Sequence, residues 1–184
     1  MSEKNTLSRS LHDVGLAAWF GGTLANAVAL NRAAGQSGQQ SDAGAVANAG
    51  WDRWTPVNAA AIGAHLVGSV GHLIGNKERL TTQRGVGAMA LVKTGLTVAA
   101  LAVTGYSRVL GGRISAHQAV PMSDGTTPSA ATPPEVASAQ KQLAVLQWAV
   151  PALTGALVVV SSFAGEQQRP ASVLQGLTKR VAGQ

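Results

Sequence analysis

The apolar residues of this chain are gathered into four long runs that are separated by polar stretches. The runs cover residues 11–31, 55–76, 85–106 and 143–164. A helix needs about 20 residues, at roughly 1.5 Å of rise each, to cross the hydrocarbon of a bilayer. A helix of a soluble protein carries polar residues along about half of its surface, but Val14 to Leu30 contains no charge on any face. The pattern predicts an all-α membrane protein with four transmembrane helices in an antiparallel bundle.

The connecting segments differ in composition, and they predict different structures at the two ends of the bundle. They are a polar N-tail (1–10), a loop (32–54), a tight basic turn (77–84), a second loop (107–142) and a tail (165–184). Because the first loop is rich in Gly, Ser, Gln and Ala, we expect it to be flexible. The second loop is rich in Pro, Ser and Thr and predicts irregular structure.

Three local signals refine these boundaries. Thr55 followed by Pro56 is typical of the cap and first turn of a helix, so it predicts the start of the second span. A short helix from Pro134 to Lys141 is an option for the end of the second loop, leading into the fourth span. The tail is either an interfacial amphipathic helix, with Val173 and Leu177 on one face, or a frayed end.

The distribution of basic residues predicts the orientation. One side of the four-span arrangement holds eight Lys and Arg residues: Lys4, Arg9, Lys77, Arg79, Arg84, Arg169, Lys179 and Arg180. The other side holds five: Arg32, Arg53, Arg108, Arg113 and Lys141. The positive-inside rule therefore places both termini in the cytoplasm. Trp51, Trp54, Tyr106 and Trp148 then all fall at the outer interface, where aromatic residues are favoured.

Composition excludes several classes of function. The net charge is +6, but the basic residues flank apolar runs instead of forming a patch with interleaved aromatics, which argues against nucleic acid and for a lipid bilayer. The absence of cysteine excludes disulfides and thiolate metal sites. The abundance of Ala, Gly and Val is typical of a GC-rich genome, so we expect a multi-pass protein of a bacterial inner (plasma) membrane.

Each predicted span carries a polar stripe with spacings of three and four residues, which places the stripe along one seam of the helix. The stripes are His12, Trp19, Thr23 and Asn26; Asn58, His65, Ser69, His72 and Asn76; Lys93, Thr97 and Thr104; and Gln147, Pro151, Thr154 and Ser161. Because an unpaired polar group is costly in lipid, we expect the stripes to face one another. Small residues, as in Gly71-x-x-x-Gly75 and Gly21-x-x-x-Ala25, allow close packing. The alternative is that these polar groups only hold the helices together.

Five ionisable residues fall in the inner half of the predicted membrane region: His12, Asp13, His65, His72 and Lys93. Intramembrane ionisable groups are costly and often functional, so we take them, together with Asn26 and Asn58, as the candidate polar cluster. We expect Lys93 and Asp13 to form an ion pair between helices. The alternative is that Lys93 extends to the membrane surface.

Three functions are compatible with this pattern. The first is an accessory or scaffold subunit that packs in the bilayer against a larger membrane complex or against itself. The second is a b-type haem or copper protein, in which His12 and His72, with His65 nearby, would be the ligands. The third is an oligomeric proton-coupled carrier with Asp13, His72 and Lys93 as the relay.

The start of the first span also resembles that of known proteins. Leu11-His12 followed by Trp19-Phe20-Gly21-Gly22 resembles the first helix of some small bacterial membrane families, including copper-resistance proteins. The resemblance ends with that helix, and no assignment rests on it. The motifs of metalloproteases, α/β-hydrolases and P-loop proteins do not occur in the sequence, so we do not expect an enzyme.

Overall fold

A computed structural model of the chain describes residues 3–75, 77, 85–117 and 120–166. Within these residues the fold is all-helical, and four helices are long and apolar enough to cross a membrane. The prediction of an all-α chain with four helices of membrane-spanning length is therefore confirmed. Asn76, most of the basic turn at 78–84 and the tail at 167–184, with its proposed amphipathic helix, lie outside the described residues.

The first span is one helical column made of three consecutive elements. Helix α1 covers Glu3–Ala25, a π-helical segment covers Asn26–Leu30, and α2 covers Asn31–Ala34. The π-helical segment ends with the Asn31 N–H donating to the Asn26 carbonyl, five residues earlier. Such wider turns often occur at functional sites, because they shift the helix face by one residue.

The other three spans are longer than a bilayer requires. Helix α3 covers Gln40–Gly75, α4 covers Val86–Ser115 and α5 covers Pro134–Glu166. The 36 residues of α3 extend over roughly 54 Å at 1.5 Å per residue, whereas the hydrocarbon is about 30 Å thick. Each of these helices is therefore longer than the hydrocarbon is thick.

This length corrects the predicted loops. The segment 32–54 is helical from Gln40 onwards, so Thr55-Pro56 lies inside α3 and does not begin it. Pro56 lacks the N–H that would bond to the preceding turn, and the Thr55 hydroxyl donates to the Trp51 carbonyl beside this gap, at 2.7 Å. In the segment 107–142, α4 continues to Ser115, and the optional helix at Pro134–Lys141 forms the first turns of α5.

The helix extensions enclose a second hydrophobic core outside the bundle. We call this part the cap; it consists of residues 40–54, 107–115, 120–133 and 134–142. Its core contains Ala43, Leu110, Ile114, Val120, Met122, Val136 and Ala139. The connecting segment is held in place by the Asp124 carboxylate, which accepts the backbone N–H groups of Thr126 and Thr127 at 2.7 Å each. The Pro/Ser/Thr-rich segment is thus folded onto the helices.

Inside the bundle, α1 and α3 make the closest contact. A Cβ atom added at Gly15 would overlap the Ala61 carbonyl oxygen, and one at Gly68 would overlap the backbone of His12. Gly71 contacts Ser8 in the same interface, as its small-residue motif predicts, but Gly21 has open space around it.

The middle of the bundle is a single packed layer. It contains one buried residue from each span: Trp19, Ala61, Ala100 and Val150. Along α3 this layer lies between Asn58 and His65, so it separates the polar groups at the two ends of the bundle.

Candidate polar site in the bundle

Three histidine rings meet where α1 packs against α3. The His12 ring lies 4.6 Å from that of His65 and 5.4 Å from that of His72, with which it is stacked at an interplanar angle of 6°. His65 and His72 are seven residues apart and therefore share one face of α3. Gly68 lies between them and allows the His12 backbone to approach. The sequence thus brings these rings together through the histidine spacing and one glycine.

The hydrogen bonds assign the protons of two rings. His12 Nδ1 lies 2.8 Å from Asp13 Oδ1, and His65 Nδ1 lies 3.4 Å from the His12 carbonyl oxygen. Because both partners only accept, both Nδ1 atoms donate, and in neutral rings the Nε2 atoms are acceptors. His65 Nε2 lies 3.4 Å from the Thr97 hydroxyl, whereas His12 Nε2 is buried and has no hydrogen-bond partner among the described residues. An unpartnered nitrogen of this kind is unusual in a protein interior.

A cavity of about 190 Å³ adjoins the histidines at this end of the bundle. We call it the histidine cavity. Its polar lining consists of Arg9, His12, Asp13, His72, Lys93, Ser161 and Ser162. The Ser161 hydroxyl is a second buried group that has no partner in the part of the chain that the structure describes. Asp13 is half-exposed and connects this cluster to the surface.

The ion pair expected between Lys93 and Asp13 does not form in the described part of the chain. The Asp13 carboxylate instead bonds to His12 and lies 3.6 Å from Arg9, one turn earlier on α1. A partner at i−4 on the same helix is available without any contact between helices. Lys93 lines the same cavity, so it acts on the site through its charge.

A second, larger cavity lies beyond the packed layer, between the four spans and the cap. We call it the tryptophan cavity; its volume is about 360 Å³. On one wall, Trp51 Nε1 donates to Asn31 Oδ1 at 3.0 Å, and Asn31 Nδ2 donates to Gln147 Oε1 at 2.8 Å. Trp54 also lines it, with its ring against Gly22.

The cavity walls differ from what the sequence predicted. The sequence predicts Trp51 and Trp54 as interfacial aromatics, but in the structure both line the tryptophan cavity. Their spacing of three residues on one helix face was the available signal. Tyr106 and Trp148 are half-exposed, as interfacial aromatics would be.

The candidate site residues therefore lie in three separate places. His12, His65, His72, Asp13 and Lys93 come together around the histidine cavity. Asn58 lines the tryptophan cavity. Asn26 lies in the π-helical segment, where its buried Nδ2 has no partner, and it lines neither cavity.

The residues present do not fit a haem. A macrocycle held by His12 and His72 would have to enter between α1 and α3, but Gly15 and Gly68 hold these backbones in contact on both sides of His12. The histidine cavity is also smaller than the roughly 300–1,000 Å³ of typical organic ligand sites. Among the described residues, no three His, Asp or Glu side chains are arranged to hold a metal ion, copper included.

No family model, curated protein or solved structure matches this chain.

Proposed function

We propose that the chain is a small proton-coupled carrier of a bacterial inner membrane, in which the three histidines pass protons. In this proposal the four spans form an antiparallel bundle with both termini in the cytoplasm, so the histidine cavity faces the cytoplasm. The basic residues that flank the spans support this orientation.

The observation that carries the proposal is the histidine cluster itself. The side chains of His12 and His65 are only 1% and 0% exposed, and the rings of His65 and His72 lie within 5.4 Å of the His12 ring. Ionisable groups at membrane depth are costly, and chains of Asp and His side chains occur in proton pathways. A scaffold subunit would need only small and apolar residues at this interface.

The geometry supports a proton route between the interior and the surface. At the surface end of this route, the half-exposed Asp13 carboxylate accepts a hydrogen bond from His12 Nδ1. Imidazole can accept a proton at one nitrogen and release one from the other. His12 would therefore take a proton at its unpartnered Nε2 and release the Nδ1 proton to Asp13. Beyond it, His65 continues the route to the Thr97 hydroxyl on α4.

Four helices are few for a carrier, so the proposal includes a homo-oligomer. Helix α4 is the least enclosed of the spans and exposes Leu91, Val92, Val98 and Val109. These side chains would contact either lipid or a second copy.

Proton flux into proteoliposomes tests the proposal. A potassium gradient with valinomycin would generate a membrane potential that drives protons across the bilayer. A pH-sensitive dye inside the liposomes would report the change in internal pH. We expect His12→Asn, His65→Asn and His72→Asn each to reduce the flux by about tenfold or more, because each removes a proton-exchanging group. His117→Asn is the matched control, because His117 is exposed and follows the end of α4, away from the histidine cavity. The flux of this variant should equal that of the unchanged protein.

Two results would contradict the proposal. One is a flux no greater than that of empty liposomes, and the other is an undiminished flux in all three variants. Either result, together with a stoichiometric membrane partner after mild solubilisation, would favour an accessory subunit.

A further inference from the structure

The tryptophan cavity contains buried polar atoms that no residue of the described chain satisfies. They are Trp54 Nε1 and Asn58 Oδ1 on α3 and Thr104 Oγ1 on α4, and all three residues line the cavity. Asn58 is 9% exposed, so bulk water does not satisfy it. Buried polar atoms are nearly always hydrogen-bonded. Three unpartnered atoms around one cavity therefore indicate that something else occupies it.

The neighbouring polar groups already have partners, which leaves these three atoms available. Asn31, Trp51 and Gln147 bond to one another, and Gln147 also reaches Thr126. Each of the three atoms requires a particular kind of hydrogen-bond partner. The indole N–H can only donate, the amide oxygen can only accept, and the hydroxyl can do both. A ligand that satisfies all of them must carry both an acceptor and a donor.

The charge and size of the cavity restrict the ligand further. Its ionisable lining residues, Asp52 and Arg108, are exposed and pair with each other at 4.0 Å, so the inner walls are uncharged. The volume of about 360 Å³ lies within the range of small-molecule sites, about 300–1,000 Å³. Trp51 and Trp54 offer flat faces, and Ile62, Leu146 and Val150 offer apolar contacts.

We propose that the tryptophan cavity is a binding site for an uncharged aromatic compound that carries a hydroxyl group, of the phenol class. The ring would lie against the tryptophans, and the hydroxyl would donate to Asn58 Oδ1 and accept from Trp54 or Thr104. This site is separated from the histidine cluster by the layer of Trp19, Ala61, Ala100 and Val150, so it stands without the proton-transfer proposal.

Three matched probes test the proposal by their effect on thermal unfolding of the full chain in lipid nanodiscs. Phenol both donates and accepts, anisole only accepts, and toluene does neither. At equal concentration, a ligand that binds the folded state more tightly raises the unfolding midpoint further. We expect phenol to raise the midpoint most. Non-specific partitioning into lipid would produce the opposite order, because toluene is the most apolar of the three.

Variants then locate the site. Asn58→Leu should weaken phenol binding by about tenfold or more, because it removes the acceptor of a buried hydrogen bond. Asn26→Leu is the matched control: Asn26 is also an intramembrane asparagine with an unpartnered nitrogen, but it does not line the cavity, so phenol binding should be kept. If Asn58→Leu does not fold, Thr104→Val provides the same test with a side chain of equal shape.

Two outcomes would overturn the proposal. In one, the midpoint shift increases from phenol to anisole to toluene, or phenol binds Asn58→Leu or Thr104→Val as tightly as it binds the unchanged protein. In the other, no probe shifts the midpoint, which would mean that water alone occupies the cavity. Because the readout is equilibrium binding, a failure of proton flux would not affect it.

Discussion

At the scale of single residues, small side chains determine where the polar groups meet. The His12 ring can contact both His65 and His72 only because Gly68, between them on α3, lets the α1 backbone come close. Gly15 has the same role one turn further along α1, against Ala61 and His65. The histidine cluster therefore depends on residues that carry no chemistry of their own.

The first prediction compares two glycines of α3. Gly68→Ala should destabilise the bundle by about 1–3 kcal/mol, because the new methyl group overlaps the His12 backbone, which cannot move aside as a side chain could. Gly63→Ala is the control: it has open space around it, and alanine favours helix by up to about 1 kcal/mol over glycine. Thermal unfolding in detergent measures both. Equal effects of the two substitutions would show that α1 and α3 are not in backbone contact.

Much of the site at this scale could be predicted from the sequence. The spacing of three and four residues places His65 and His72 on one seam, and lipid makes it costly for them to face outwards. The Lys93–Asp13 pair was wrong because Arg9, at i−4, and His12 satisfy Asp13 locally. The tryptophan cavity could not be predicted, because its walls come from all four spans and the cap, and no single segment shows them.

At the scale of elements, the main feature is that the helices continue beyond the predicted spans. Residues 33–50 have a composition typical of flexible loops, yet α3 begins at Gln40. Its first turns bury Ala43 and Ala47, and Ala43 packs in the cap core with Leu110 and Met122. Tertiary packing therefore overrides local preference here. Such long-range contacts cannot be read from the composition of one segment.

The second prediction concerns an ion pair that joins the end of α4 to the start of α5. A hydrogen bond to the Arg113 carbonyl and a contact of 2.7 Å with the Glu135 carboxylate raise the pKa of His117 above its usual 6.5. Protonated His117 therefore stabilises the folded cap. This stabilisation is complete below pH 6.5 and is lost as the pH rises through the raised pKa.

The difference in unfolding midpoint between the unchanged protein and His117→Asn isolates this effect from the other histidines. The difference should be largest near pH 5 and should shrink towards pH 9 or so. Glu135→Gln should reduce it as well, because it removes the negative partner. A difference that does not change with pH would mean that His117 and Glu135 do not interact in solution.

At the scale of the whole molecule, the polar groups form two sites at different depths. The histidine cavity and the tryptophan cavity lie on opposite sides of the packed layer that contains Trp19. Trp19 is fully buried, and its ring lies 6.0 Å from that of His65. The four-span pattern predicts the number of helices, but the separation into two cavities depends on how these helices pack.

The third prediction is the orientation of the bundle. The chain contains no cysteine, so single cysteines can be introduced and labelled in intact cells with an impermeant maleimide. Gln36→Cys and Ala131→Cys, which replace exposed residues at the cap end, should be labelled. Thr82→Cys, in the basic turn, should be labelled only after the cells are opened. The reverse pattern would place the cap in the cytoplasm.

The central claim is that His12, His65 and His72 exchange protons as one unit, and nitrogen NMR of the side chains tests it most directly. In a bilayer sample with ¹⁵N-labelled histidine, the four histidines of the chain give separate signals that follow protonation. We expect His72→Gln to change the pH titrations of both His12 and His65, because the His72 ring stacks on that of His12, which in turn contacts that of His65. The titration of His117 should stay unchanged. Titrations of His12 and His65 that do not respond to the loss of His72 would contradict the account.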